Sequence, residues 1–261
     1  MKFSTISNAK KQTGLSYLGS VNSSAKIIKN AKYNVMTYIL YLAPARQSGY
    51  NVCPMATGGD GKTLGCIDAC LAESGHGRIS PLNNLGVSKI SQSRIKKTKL
   101  FFEERDFFIT WLVAEIQKYY CEAKNKGMLF SVRINGTSDL NIETVKTSTG
   151  RNILQIFPDV QFYDYTKVFN RLELCEKYPN YHLTFSYSGS NMVQCLQALK
   201  YGYNVAMVFN TLPAEYMGYK VVNADDSDLR YLDEKNVICG LKFKKVRTKN
   251  VNVNNSFVIN I

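Results

Sequence analysis

Short apolar runs of β character recur along the chain, separated by segments whose apolar residues return at helical spacing. The first run, Asn34-Val-Met-Thr-Tyr-Ile-Leu-Tyr-Leu-Ala43, is rich in β-branched and aromatic residues and stops at Pro44, which predicts a strand. Six further strands are predicted over 128–134, 160–165, 182–187, 204–209, 219–223 and 237–243. Segments 141–157, 167–177 and 191–201 have the composition of helices, so the chain after Gly127 reads as repeated βα units. A longer helix is predicted over 99–126. Its stripe of Phe108, Trp111, Leu112, Ile116, Tyr119 and Ala123 marks a core-facing side, and Gly127 stands where a left-handed C-terminal cap belongs. Trp111, the single tryptophan, is thereby assigned to packing.

Seven strands alternating with helices predict an α/β fold: a parallel sheet, or a partial or closed (β/α) barrel, with a long cysteine-containing loop after the first strand. Residues 1–30, rich in Ser, Asn, Lys and Gly, are expected to form an irregular lead-in, and 31–261 a single domain. Connections shorten after residue 210, so the last strands are expected to pair irregularly.

Composition narrows the class. A chain of 261 residues with 45% hydrophobic and 12% aromatic side chains buries a full core, which excludes a disordered tail, a collagen-like repeat and a disulfide-stapled miniprotein. Lys and Arg outnumber Asp and Glu by 33 to 20, a formal charge of +13, which points to nucleic acid or a nucleotide as partner. Much of the excess lies in Arg94/Lys96/Lys97/Lys99 and Lys242/Lys244/Lys245/Arg247/Lys249, where a solvated basic face gives the same pattern. No apolar run approaches the roughly 18 residues of a membrane span, and MKFSTISNAKKQTG lacks the apolar core of a signal peptide. A cytoplasmic protein without a membrane partner is expected. In that reducing setting an odd count of seven cysteines argues against a disulfide framework.

Polar groups gather just after the predicted strands, in Arg133-Ile-Asn-Gly-Thr-Ser-Asp139, Tyr163-Asp-Tyr-Thr-Lys167, Ser186-Tyr-Ser-Gly-Ser-Asn191 and Asn223-Ala-Asp-Asp-Ser-Asp228. Singly, such residues are turn formers and helix caps. Recurring after successive parallel strands, they describe one mouth, because ligands of α/β folds bind at the carboxyl ends of strands. Asp164 and Lys167 are the candidates there for orienting a substrate or carrying protons.

The loop after the first strand holds Cys53, Cys66 and Cys70, spaced Cys-x12-Cys-x3-Cys, in a glycine-rich segment that also contains His76. Cys66 and Cys70 fall on one side of a helical turn, and the glycines let Cys53 fold back onto them. Three thiolates suit a [4Fe–4S] cluster with one open iron, or zinc completed by His76. Cys121, Cys175, Cys195 and Cys239 read as small buried hydrophobes. Asp225, Asp226, Asp228 and Asp233 offer oxygen ligands for Mg²⁺, although an acidic turn paired with Arg230 is the preferred reading. His182 is expected to bond within the core. Gly58-Gly-Asp-Gly-Lys-Thr63 is not a phosphate loop, since Ala56 stands where the pattern needs glycine.

A strand, a three-cysteine loop and then βα units with polar strand ends resemble the radical S-adenosylmethionine (SAM) enzymes. Cys53-Pro with Cys66 and Cys70, Arg133 to Asp139, Phe162-Tyr-Asp-Tyr-Thr-Lys167 and Tyr181-His-Leu-Thr-Phe-Ser-Tyr-Ser188 look like a phage and plasmid gene-product family, over about residues 35–247. The radical SAM resemblance implies iron ligation by Cys53, Cys66 and Cys70. It also implies contact with the SAM amino group by Asn135, Gly136, Thr137, Ser138 and Asp139, and with its ribose by Ser186 or Ser188. The alternative is a non-enzymatic basic binding protein, stapled by zinc on Cys53, Cys66, Cys70 and His76, that contacts nucleic acid or a phage or host partner.

Overall fold

A computed structural model of the chain describes residues 4–21, 30–58, 65–70, 82, 86–244 and 256–261. All seven predicted strands form: β2 (Val35–Leu40), β3 (Leu129–Arg133), β4 (Gln161–Thr166), β5 (Tyr181–Ser186), β6 (Val205–Phe209), β8 (Tyr219–Asn223) and β9 (Ile238–Lys242). Three short strands join them, β1 (Gly19–Val21), β7 (Glu215–Tyr216) and β10 (Val258–Ile259). The order across the sheet is β1-β2-β3-β4-β5-β6-β9-β8-β7, with β10 beside β6. From β2 to β8 every pairing is parallel, whereas β1 and β7 lie antiparallel on the two edges. Those edge strands leave the sheet open, so the closed barrel among the expected forms is not adopted, and a radical-SAM-like barrel is not established.

The helices differ more from expectation. The stretch 99–126 is two helices, α2 (Lys89–Glu103) and α3 (Arg105–Asn125), broken at Glu104, whose backbone leaves the helical region (φ −133°, ψ 56°). Phe101 and Phe108 on either side of the break meet edge to face at 5.3 Å, so the turn buries both rings. Segment 141–157 gives only a 3₁₀ turn (Ile142–Thr144) and α4 (Ile153–Ile156), interrupted where Gly150 takes φ 76° and donates to Thr147. Segment 167–177 is a 3₁₀ turn running into α5 (Leu174–Lys177), and α6 spans Met192–Lys200.

Alternation along the strands gives the sheet two unlike faces. Tyr38, Leu40, Val132, Phe162, Leu183, Phe185 and Met207 pack with Phe108, Trp111, Leu112 and Ile116 of α3 in one large core, and Gly127 takes φ 64° at its expected cap. The opposite face carries Thr37, Ser131, Arg133, Tyr163, Tyr165, His182 and Thr184. It is covered by the connection from β8 to β9, through Leu229 against Tyr163 and Ala224 beside Tyr165, with Cys239 of β9 in the same small cluster. Cys195 and Cys239 are buried as expected, Cys175 is half-buried, and Cys121 is exposed because it lies on the solvent side of α3.

The expectation of an irregular lead-in is corrected. Residues 4–13 form α1 (Ser4–Thr13), and Ala9, Leu15 and Leu18 enter the main core. The buried Glu115 carboxylate fastens the segment by accepting the amides of Leu18 and Gly19 at 3.1 Å and the Tyr38 hydroxyl at 2.8 Å. Glu115→Ala leaves these donors unmatched, so a loss of about 1–3 kcal/mol in urea unfolding is expected, with faster amide exchange at Leu18 and Gly19. The first basic cluster is not all solvated either. Lys97 is 5% exposed, stacks 4.4 Å from the Tyr17 ring centre, and is pushed by burial down to about 8.

Candidate functional site

Because β2 to β6 run parallel, their carboxyl ends deliver their loops to one edge of the sheet, and there the structure has a cavity of about 760 Å³. Cys53, Cys66 and Cys70 line it from the loop after β2. Asn135, Gly136, Thr137, Ser138 and Asp139 line it after β3, Tyr165 and Lys167 at β4, and Ser186 at β5. Ser188 lies just outside the lining, its carbonyl accepting the Thr57 hydroxyl. Arg46 and Phe257, neither of them singled out in the sequence, also face the cavity. Phe257 is brought there by β10, whose two residues are too few to produce a pattern.

The 135–139 segment is stitched to its neighbours. Gly136 donates to Leu40 at 2.9 Å, and a Cβ at that position would lie 2.7 Å from both that carbonyl oxygen and the Tyr41 ring, so only glycine fits. Thr137 Oγ1 donates to Leu42 O at 2.5 Å, and the Asp139 amide to Val52 O at 2.8 Å. Asn135 Oδ1 accepts Ser138 Oγ at 2.8 Å and the Leu140 amide at 3.0 Å.

Asp164 does not face the cavity. Fully buried beneath it, Asp164 accepts the Asn135 amide at 2.8 Å and the Tyr181 hydroxyl at 3.2 Å, and burial lifts its carboxyl to about 7. The expected pairing of Asp164 with Lys167 is not formed. Lys167 Nζ reaches Ser186 Oγ at 3.3 Å, and the Lys167 amide donates to Asp139 at 2.7 Å. Asp164 is therefore a positioning residue, while Lys167 stands in the cavity wall without a carboxylate on its ammonium among the described residues. Arg171 organises the layer below. Its guanidinium pairs with Asp139, with Glu143 at 2.7 Å and with the Tyr181 hydroxyl at 2.9 Å.

The cysteine loop departs from the helical turn expected of Cys66 and Cys70. Residues 66–69 form a turn in which the Cys70 amide donates to Ile67 at 3.2 Å and the Gly65 amide to Asp68 at 2.8 Å. Cys66 Sγ accepts the Thr57 amide at 3.3 Å, and Cys53 Sγ lies 3.8 Å from Thr137 O. Burial, with a contribution from nearby Cys70, raises the Cys53 thiol to about 11. All three thiols share the cavity, but among the described residues no three His, Cys, Asp or Glu side chains are gathered as a metal-holding group. His76 and most of the glycine-rich stretch lie outside the described residues.

The acidic turn is dispersed as well. Asp225 pairs with Lys244 at 2.9 Å and Asp233 with Arg230 at 3.0 Å. Asp228 is buried rather than solvated, held by Arg133 at 3.1 Å and the Tyr163 hydroxyl at 3.0 Å. His182 is half-buried on β5, and its Nε2 has no hydrogen-bond partner among the described residues.

These features define a class: an open, mostly parallel α/β protein with a cavity at the carboxyl ends of its strands, lined by cysteines and by both polar and apolar residues. The chain belongs to the Gene product 88 family, whose model matches residues 1–256. That match bears out the gene-product resemblance and leaves the radical SAM one unsupported. No curated protein and no solved structure matches the chain. No helix among the described residues is long and apolar enough to cross a membrane.

Proposed function

We propose that the protein is an iron–sulfur enzyme of the radical SAM type, with Cys53, Cys66 and Cys70 holding a [4Fe–4S] cluster beside a site for SAM and a nucleotide or nucleic-acid substrate. One observation carries this reading: the three cysteines of a single loop and the polar ends of three successive parallel strands line the same cavity. The donor chemistry suits a thiolate-bound cluster, since three cysteines line one cavity. Loading requires the thiols to lose their protons and to be drawn together, because the Cys53 thiol is held protonated by burial and the three are not yet a ligand set. When bound, the cluster supplies the electron that cleaves SAM reductively.

The chain's own residues divide the remaining work. Lys167, backed by Ser186, presents a cation suited to an anionic group of the ligand. Arg133 is unavailable for that task, because Asp228 neutralises it. The backbone of 135–139, fixed from below by Asp164, offers a rigid polar rim to the organic ligand. The excess of basic over acidic residues supports a phosphate-bearing substrate.

Anaerobic purification with iron, sulfide and metal analysis tests the reading. The expected preparation is brown, carries about four irons per chain and changes its absorbance when SAM is added, and Cys70→Ala loses both colour and iron. A colourless protein with one zinc or no metal overturns it.

A further inference from the structure

We propose that a file of internal water molecules crosses the inner face of the sheet and joins the main cavity to a second cavity at the opposite strand ends, held by Tyr165, Thr184 and His182. The second cavity, about 480 Å³, is walled by His182, Tyr203, Tyr231 and Lys235. Tyr165 belongs to the wall of the main cavity. Thr184 pairs in register with Tyr165 across β4 and β5, and His182 precedes it by two residues on the same face of β5, so the three side chains form a row from one cavity to the other.

Every member of that row carries a buried polar atom without a hydrogen-bond partner among the described residues: Tyr165 Oη, Thr184 Oγ1 and His182 Nε2. Thr184 itself is fully buried. One unmatched hydroxyl is an isolated cost; three in a row between two cavities are the signature of ordered water, which native interiors use to satisfy such groups. The surroundings are polar as well. Arg230, 1% exposed, lies within electrostatic reach of both Tyr165 and His182, and its free hydrogen-bonding directions are limited by Ser227 O at 2.7 Å and Asp233 at 3.0 Å. Apolar surroundings would exclude water; these offer donors and acceptors. The path lets water and protons exchange between the main cavity and the far edge of the sheet without passing the cavity mouth, and it does not depend on which cofactor the cysteines hold.

Crystal structures of the wild-type chain and of Thr184→Val, at a resolution that shows waters, test the inference. The expected wild-type map has ordered water within hydrogen-bond distance of Thr184 Oγ1 and of at least one of Tyr165 Oη and His182 Nε2. Thr184→Val keeps the side-chain shape, loses the water at Thr184 and melts at a lower temperature, whereas Thr184→Ser keeps both water and melting point. A wild-type map in which Thr184 Oγ1 meets only protein atoms or an empty gap overturns the proposal, and that map decides the point even if the valine variant fails to fold.

Discussion

Arg171→Met is expected to lose about 3–5 kcal/mol of stability, a large share of the roughly 5–15 kcal/mol that holds a domain of this kind together. Arg171 is 3% exposed and is the cation shared by Asp139 and Glu143, themselves almost or wholly buried. Methionine fills much of the volume but leaves these carboxylates without a counter-charge in a medium that solvates them poorly. Acidification separates this cause from simple packing loss. Burial already raises the Glu143 carboxyl above its ordinary value, and a protonated Glu143 has no charge to compensate. Urea unfolding should therefore show a larger penalty at pH 8 than at pH 5. An equal penalty at both would mean that Arg171 contributes only volume. The variant should also loosen the cavity, since Arg171 supports Asp139 and, through the Tyr181 hydroxyl, Asp164.

This layer beneath the cavity is where sequence reading ends and the fold takes over. Strands of five or six residues with β-branched and aromatic side chains were legible, and so was the gathering of their polar ends at one edge, because parallel pairing leaves little choice. Two- and three-residue strands such as β1, β7 and β10 carry no period to read, and α4 and α5 are single turns fixed by local caps and packing. Asp139, Glu143, Asp164, Arg171 and Tyr181 meet only because the register of β4 and β5 and the turns beside them bring them together. One signal of this layer is present in the sequence. Strict alternation in β4 puts Asp164 with Phe162 on the helix-covered face and Tyr163 and Tyr165 on the other, which removes Asp164 from direct chemistry and makes it a support for Asn135. The lead-in is hidden for the opposite reason: its polar composition masks three apolar anchors, Ala9, Leu15 and Leu18, and a carboxylate far along the chain holds the backbone where Leu18 enters β1.

That support gives the protein a pH dependence of definite sign. Asp164 ordinarily titrates at 3.8 and in the folded chain is raised to about 7, first by burial, with Arg133 and Arg171 opposing the rise. The folded state thus holds this proton more tightly than the unfolded chain. The contribution of Asp164 to stability is greatest below pH 4, falls as pH rises toward 7, and is flat above, a change on the order of a few kcal/mol. His182 acts with the opposite sign, since burial lowers it to about 4, and its contribution rises with pH between about 4 and 6.5. The total curve mixes the two, so the difference between wild type and Asp164→Asn isolates the carboxyl. Asparagine is neutral at every pH; its amide oxygen can accept the Asn135 N–H, and its amide nitrogen can donate to the Tyr181 hydroxyl. Asp164→Asn is expected to be less stable than wild type, or equal to it, at pH 5, to gain on it up to about pH 7, and to keep a nearly constant difference from there to pH 8. Asp164→Ala, which orphans the Asn135 amide, should lose about 1–3 kcal/mol at neutral pH. Wild-type and asparagine curves running parallel from pH 5 to pH 8 would show that the buried carboxyl stays charged throughout, and the 135–139 segment would then rest on a fixed anion rather than on a group that titrates.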